Sequence, residues 1–117
     1  MEKQDVQGEN YQVIGNPETA TVYFKGSLRL GGIKEYEPIV NILDGLIQQD
    51  PPLITLNLRD LEFLNSSGIS MLSKFVLNVR KKKTIQIEIK GSDKIPWQGK
   101  SLKNLQRLMP GLKLELE

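Results

Sequence analysis

From Leu53 onward the apolar residues alternate between two spacings, and that alternation admits few folds. Leu53-Ile54-Thr55-Leu56-Asn57-Leu58 is a short, mostly apolar run behind the breaker Asp50-Pro51-Pro52, the pattern of a buried parallel strand. Ile69, Leu72, Val76 and Val79 then step by three and four, as on one face of a helix that runs to about Arg80. Thr84-Ile85-Gln86-Ile87-Glu88-Ile89-Lys90 returns to strict alternation and reads as a strand. A helix over roughly 99–109 carries Leu102, Leu105 and Leu108 and stops at Pro110-Gly111, and Leu112-Lys113-Leu114-Glu115-Leu116 alternates once more.

Upstream, Tyr11-Gln12-Val13-Ile14 closes at Gly15-Asn16-Pro17, and Thr21-Val22-Tyr23-Phe24-Lys25 is rich in strand formers. These two predict an antiparallel pair at the sheet edge. Gly26 to Gly32 reads as a loop. Ile33, Tyr36, Val40, Leu43 and Ile47 predict a helix from near Glu35 to near Gln49, provided Pro38 lies in the first turn. Residues 59–64 read as a linking segment, and residues 1–10, polar apart from Val6, as a flexible tail. The order β-β-α-β-α-β-α-β predicts one α/β domain over 11–117. Its sheet is mixed but mostly parallel, with about three helices.

A single domain of 117 residues buries one sizeable core. The chain contains no histidine and no cysteine. That excludes disulfides, thiolate nucleophiles, His-based triads and zinc sites built on His or Cys. A net charge of +2 exerts no general pull on nucleic acid or anionic lipid. No apolar run approaches a membrane span, and the N-terminal residues lack the pattern of a signal peptide. The expectation is a cytoplasmic protein, not an enzyme, with no metal and no cofactor.

Function in open α/β sheets gathers where the carboxyl end of a strand meets the next helix. Here that junction is Leu64-Asn65-Ser66-Ser67-Gly68. Asn65 suits an N-cap, and the helix start behind it offers free N–H groups and partial positive charge to an anion. Two hydroxyls at such a start suit attachment of a phosphoryl group; the same residues also describe an ordinary helix start.

Residues Ile54 to Ile69 resemble the central signature of STAS domains, in particular the bacterial anti-sigma factor antagonists. Their pattern is an apolar strand, a short connection, an aromatic and an apolar residue, then Asp-Ser-Ser/Thr-Gly and an apolar helix. Gly26-Ser27-Leu28-Arg29-Leu30 is similar to the family's Gly-x-Leu stretch before the first helix. The resemblance covers roughly residues 11–117. It implies a partner-switching protein bound by a serine kinase of the ATPase fold related to histidine kinases. That kinase modifies a serine at the start of the second helix, and a PP2C-type phosphatase resets it. Carried over, the phosphoacceptor is Ser66, with Ser67 as fallback, and Asn57, Asn65 and Gly68 are motif positions. Asn65 stands where the family carries Asp before the acceptor, and Asn57 where it carries a strand-end Asp. The neutral pair removes charge that would repel a phosphate about 5 Å away by roughly 3 kcal/mol per unit charge product. It is also what a constitutive interaction scaffold, no longer phosphorylated, would carry.

Met71 and Phe75, four apart on the second helix, either extend the core or form an exposed apolar ridge for a partner. Trp97 either packs over the core or anchors a partner. Arg80-Lys81-Lys82-Lys83 reads as a solvated helix end whose cations complement the dipole rather than as a nucleic-acid patch. A hydrolase using Ser66 with Asp60 or Lys74 lacks the imidazole such chemistry ordinarily needs.

Overall fold

Short turns join the first three strands and helices join the rest, and that difference sets the sheet. The computed structural model describes residues 3–117. Strands β1 (Gln4–Gln7), β2 (Tyr11–Asn16) and β3 (Thr21–Leu28) are antiparallel neighbours. After α1 (Glu37–Gln48), β4 (Leu53–Leu64) lies parallel to β3. Helix α2 (Ser66–Lys82), β5 (Gln86–Gly91), α3 (Pro96–Leu108) and β6 (Lys113–Leu116) continue the parallel half. The six strands stand in chain order, β1 to β6.

Successive right-handed crossovers in one direction put every helix on the same face. Accordingly α2 packs between α1 and α3. Residues alternate across the sheet as a pleat requires. Val22, Phe24, Ile54, Leu56, Ile87 and Ile89 are buried beneath the helices, whereas Tyr23, Lys25, Leu53 and Gln86 lie on the open face. Helix α1 lies close over β2 at Gly15, where a Cβ would run into Ile42.

The mixed sheet with its antiparallel N-terminal part and three helices agrees with the expected α/β class. Several boundaries differ. Residues 4–7, read as tail, form β1: Val6 is half-buried against the core and its polar neighbours face outward, so an edge strand needs only one apolar residue. The expected tail's residues 1 and 2 lie outside the described residues. Gly26 to Leu28, read as loop, continue β3; Gly26 takes φ +87°, which a residue without a Cβ adopts freely. Helix α1 starts two residues later than expected, with Pro38 in its first turn, leaving Ile33 outside the helix and 59% exposed. Helix α3 starts earlier than expected, with Pro96 in its first turn.

The largest difference is in β4, which runs straight through the supposed linker 59–64. Its pairing with β3 slips by one residue between Tyr23 and Lys25 and again between Gly26 and Ser27. Each bulge adds a residue to β4, so its buried positions step 54, 56, 58, 61, 64 rather than by twos. Strand β5 pairs with β4 only as far as Asn57. Beyond that point the Leu58 and Leu61 carbonyls have no strand partner on that side. Gln98, fully buried on α3, takes its place: Nε2 donates to Leu58 O at 2.6 Å and to Leu61 O at 2.9 Å, and Oε1 accepts from Ser92 N at 2.7 Å. Trp97 Nε1 also donates to Leu61 O, at 3.3 Å.

Replacing this amide strands the Leu58 carbonyl and the Ser92 N–H and leaves the Leu61 carbonyl only the longer bond from Trp97. Gln98→Leu is expected to lower unfolding stability by about 2–4 kcal/mol. Urea denaturation monitored by circular dichroism measures it; a loss below about 1 kcal/mol would show that the amide is not what holds the upper half of β4.

Candidate functional site

Where β4 ends, one side chain ties three segments together. Asn65 has extended backbone geometry (φ −78°, ψ 175°) and caps α2, its Oδ1 accepting from Gly68 N at 3.0 Å. The same oxygen accepts from the Tyr36 hydroxyl at 2.6 Å. Its Nδ2 donates to Leu30 O at 2.8 Å, and its backbone N–H donates to Leu28 O at 3.1 Å. The start of α2 is thereby fixed to the end of β3, to the loop after it and to the residue preceding α1. Asparagine is the residue this geometry needs. Aspartate would accept both bonds, but it has no donor for the Leu30 carbonyl.

Tyr36 reaches this junction from within the core, with 0% of its surface exposed. Burial pushes its hydroxyl pKa up from the ordinary value; a hydrogen bond at the Leu30 backbone offsets part of this, and Tyr11 adds a smaller upward push. Gly68 sits where a Cβ would collide with the Leu64 side chain and the Tyr36 hydroxyl, so glycine here answers to close packing. The loop between β3 and α1 is closed by Gly31 N–H donating to the Glu35 carboxylate. Arg29 lays its guanidinium 4.3 Å from the centre of the Phe63 ring.

Ser66 is exposed on the first residue of α2, and Ser67 is half-buried beside it. Both stand at the helix start, where the dipole favours an anion. Met71 and Phe75 do not form an exposed ridge; they are 5% and 3% exposed and belong to the core, because α1 and α3 flank α2 closely. Their outer atoms line a groove of about 190 Å³ between α1 and α2, with Tyr36, Val40, Leu43 and the exposed Ile33. Lys74 and Asp44 stand at the same groove.

Asn57 does not belong to this constellation. It lies mid-strand rather than at a strand end, and its Oδ1 accepts from Arg59 N at 3.1 Å at the first β4 bulge. Seven strand residues separate it from Asn65, roughly 25 Å, well beyond the Debye length of about 8 Å. Its neutrality therefore has no bearing on a charge at Ser66. Trp97 packs half-buried against the core. Among the described residues, no group of three or more Asp and Glu is placed to hold a metal ion, and no helix is long and apolar enough to cross a membrane.

The fold and this junction define an architecture already known. By fold the chain is STAS-like, the architecture of the anti-sigma factor antagonists. An anti-sigma factor antagonist from Mycobacterium paratuberculosis superposes with TM-score 0.59 at 15% identity, covering 97% of this chain and 83% of that one. Apo-SiaC from Pseudomonas aeruginosa superposes with TM-score 0.74 at 9% identity over 100% of this chain and 99% of that one. SiaC in its complex with the diguanylate cyclase SiaD, of which it is the activator, superposes with TM-score 0.73 at 7% identity over 97% of each chain. No family model matches the chain, and no curated protein matches its sequence.

Two substitutions test the junction. Asn65→Asp is expected to cost about 1–3 kcal/mol at neutral pH, because two acceptors then face each other at Leu30. The cost should shrink below pH about 4, where the introduced carboxyl regains a donor; a pH series of urea melts would show both. Tyr36→Phe is expected to cost about 1 kcal/mol at neutral pH. In the parent, the raised folded pKa favours neutral Tyr36, so its contribution is complete below pH about 10 and is lost as pH rises through the folded value. The phenylalanine variant should lack that share of the alkaline decline; parallel declines would place its origin elsewhere.

Proposed function

We propose that this protein is a non-enzymatic, cytoplasmic partner-switching regulator whose partner docks over the groove between α1 and α2. Phosphorylation of Ser66, with Ser67 as fallback acceptor, controls that docking. The partner class is a serine kinase of the histidine-kinase-like ATPase fold, and a PP2C-type phosphatase resets the protein. The observation that carries the reading is an exposed serine on a rigidly capped helix start beside an apolar groove. Ser66 precedes Met71 by five helical residues, about 7.5 Å along the axis. A phosphate there adds about −1.5 to −2 charge within one Debye length of the docking surface. The helix dipole favours that anion within the domain, while at an interface it must be desolvated, so the switch needs no refolding. SiaC, which shares the fold, is described in complex with an effector enzyme that it activates. Such an effector is a second partner of the kind this face would serve.

Incubation with the cognate kinase and ATP, followed by mass-spectrometric site mapping, is expected to place the phosphate on Ser66. Ser66→Ala should keep partner affinity, and Ser66→Asp should weaken it about tenfold or more, the effect of about 1.4 kcal/mol. Equal affinity of the two variants, or no modification at either serine, would leave the constitutive scaffold as the better reading.

A further inference from the structure

Two of the helices carry no acid. Between Phe63 and Ile87 stand five lysines and arginines and no acidic residue, and the same holds from Lys94 to Leu114. Helices α2 and α3 pack side by side and, as successive crossovers, run parallel, so their C-terminal ends meet. Arg80 Nη1 donates to Leu108 O at 3.2 Å across that junction. Arg80, Lys81, Lys82, Lys83 and Arg107 are all exposed there. Helix dipoles favour cations in the last turns, but they do not account for what lies among these cations. Leu77, 37% exposed, lines a hollow of about 370 Å³ together with Arg80, Lys81 and Lys83.

We propose that this hollow is a second docking site, which receives one large apolar side chain from an acidic segment of a partner protein. Leu77 and the aliphatic stems of the cations cover the apolar anchor, and Arg80, Lys81 and Lys83 pair with carboxylates on either side of it. The lining selects this occupant over other polyanions. A bilayer calls for a broad apolar face, and a duplex groove for a protruding helix or ribbon, whereas this hollow holds a single leucine among three cations. The site goes beyond the switch at Ser66 and does not rest on it. The seventeen residues from Ser66 to Lys82 span about 25 Å of helix, roughly three Debye lengths. Phosphorylation at one end of α2 therefore leaves the other end's affinity intact, and a partner held at the basic end stays bound while one at the groove exchanges.

The test is fluorescence anisotropy on the full chain with a labelled peptide in which one tryptophan stands between two runs of three glutamates. Saturable binding is expected, weakening about tenfold between roughly 50 mM and 300 mM salt. Leu77→Asp, and separately Arg80→Glu with Lys81→Glu, should each weaken it about tenfold, with folding checked by circular dichroism, while Ser66→Asp changes it less than about twofold. The same peptide with glycine in place of tryptophan leaves the protein untouched and should bind about tenfold more weakly. Equal binding of the two peptides would overturn the proposal, since the cations would then act without the hollow. Tighter binding of duplex DNA or of phosphatidylserine vesicles than of the tryptophan peptide would overturn it in favour of those surfaces.

Discussion

The rest of the molecule's upper surface depends on one amide. Asn65 accepts from the first turn of α2 and from a buried phenol, and it donates to the loop that leads into α1. Losing any one of these would orphan a group at least partly withdrawn from water, which costs more than a hydrogen bond gains. The serine beside it is thus held on a helix start that has little freedom to move. On the proposed reading that rigidity suits a protein recognised by others, since a modifying enzyme and a docking partner would meet the same few residues in the same arrangement. It also explains why Asn65 is no mere weakened version of an acidic motif. The Leu30 carbonyl requires a donor, and only the amide has one.

The arrangement of helices has a functional side. With α1, α2 and α3 on one face, the apolar groove and the basic hollow both lie there. The opposite face shows the outward half of each strand's alternation, mostly polar apart from Tyr23 and Leu53, with Arg59 paired to Glu115 at 3.0 Å and to Glu117 at 3.1 Å. On the helical side, α2 takes part in both surfaces of interest. Its N-terminal end borders the apolar groove, and its C-terminal end borders the basic hollow. The overall charge of +2 conceals this segregation, because the acids are gathered outside α2 and α3.

Element types and order were legible in the sequence because each element keeps its own hydrophobic period. Strand β5 alternates without a break, and α2 steps by three and four. The failures have physical causes. Two bulges in β4 converted a period of two into steps of three, so its second half resembled a linker. Strand β1 is an edge strand with a single inward residue, too little for a pattern. Ile33 continued the helical spacing of α1 although the chain had not yet entered the helix. At the site, the cap at Asn65 was legible because residue type and position sufficed. Its ties to Tyr36 and Leu30 were not, being 29 and 35 residues away. The one available signal was that a tyrosine within an apolar stripe needs a partner for its hydroxyl. Gln98 had no such signal, since a glutamine on a helix ordinarily faces water.

The spatial order of the strands has a consequence for how the molecule is made. Because each strand pairs with its immediate predecessor in the chain, no strand waits for a later one to be slotted in between. Such a sheet can grow by accretion at a single edge as the chain emerges from the ribosome, each crossover closing a loop of modest length and low entropic cost. Its growing edge is exposed at every stage, however, and a chain stopped after β4 would present one open edge of a long, largely apolar strand, where β5 later pairs with Leu53 to Asn57. Pro51-Pro52 before β4 and Lys81-Lys82-Lys83 before β5 fall at the two points where that edge is next extended.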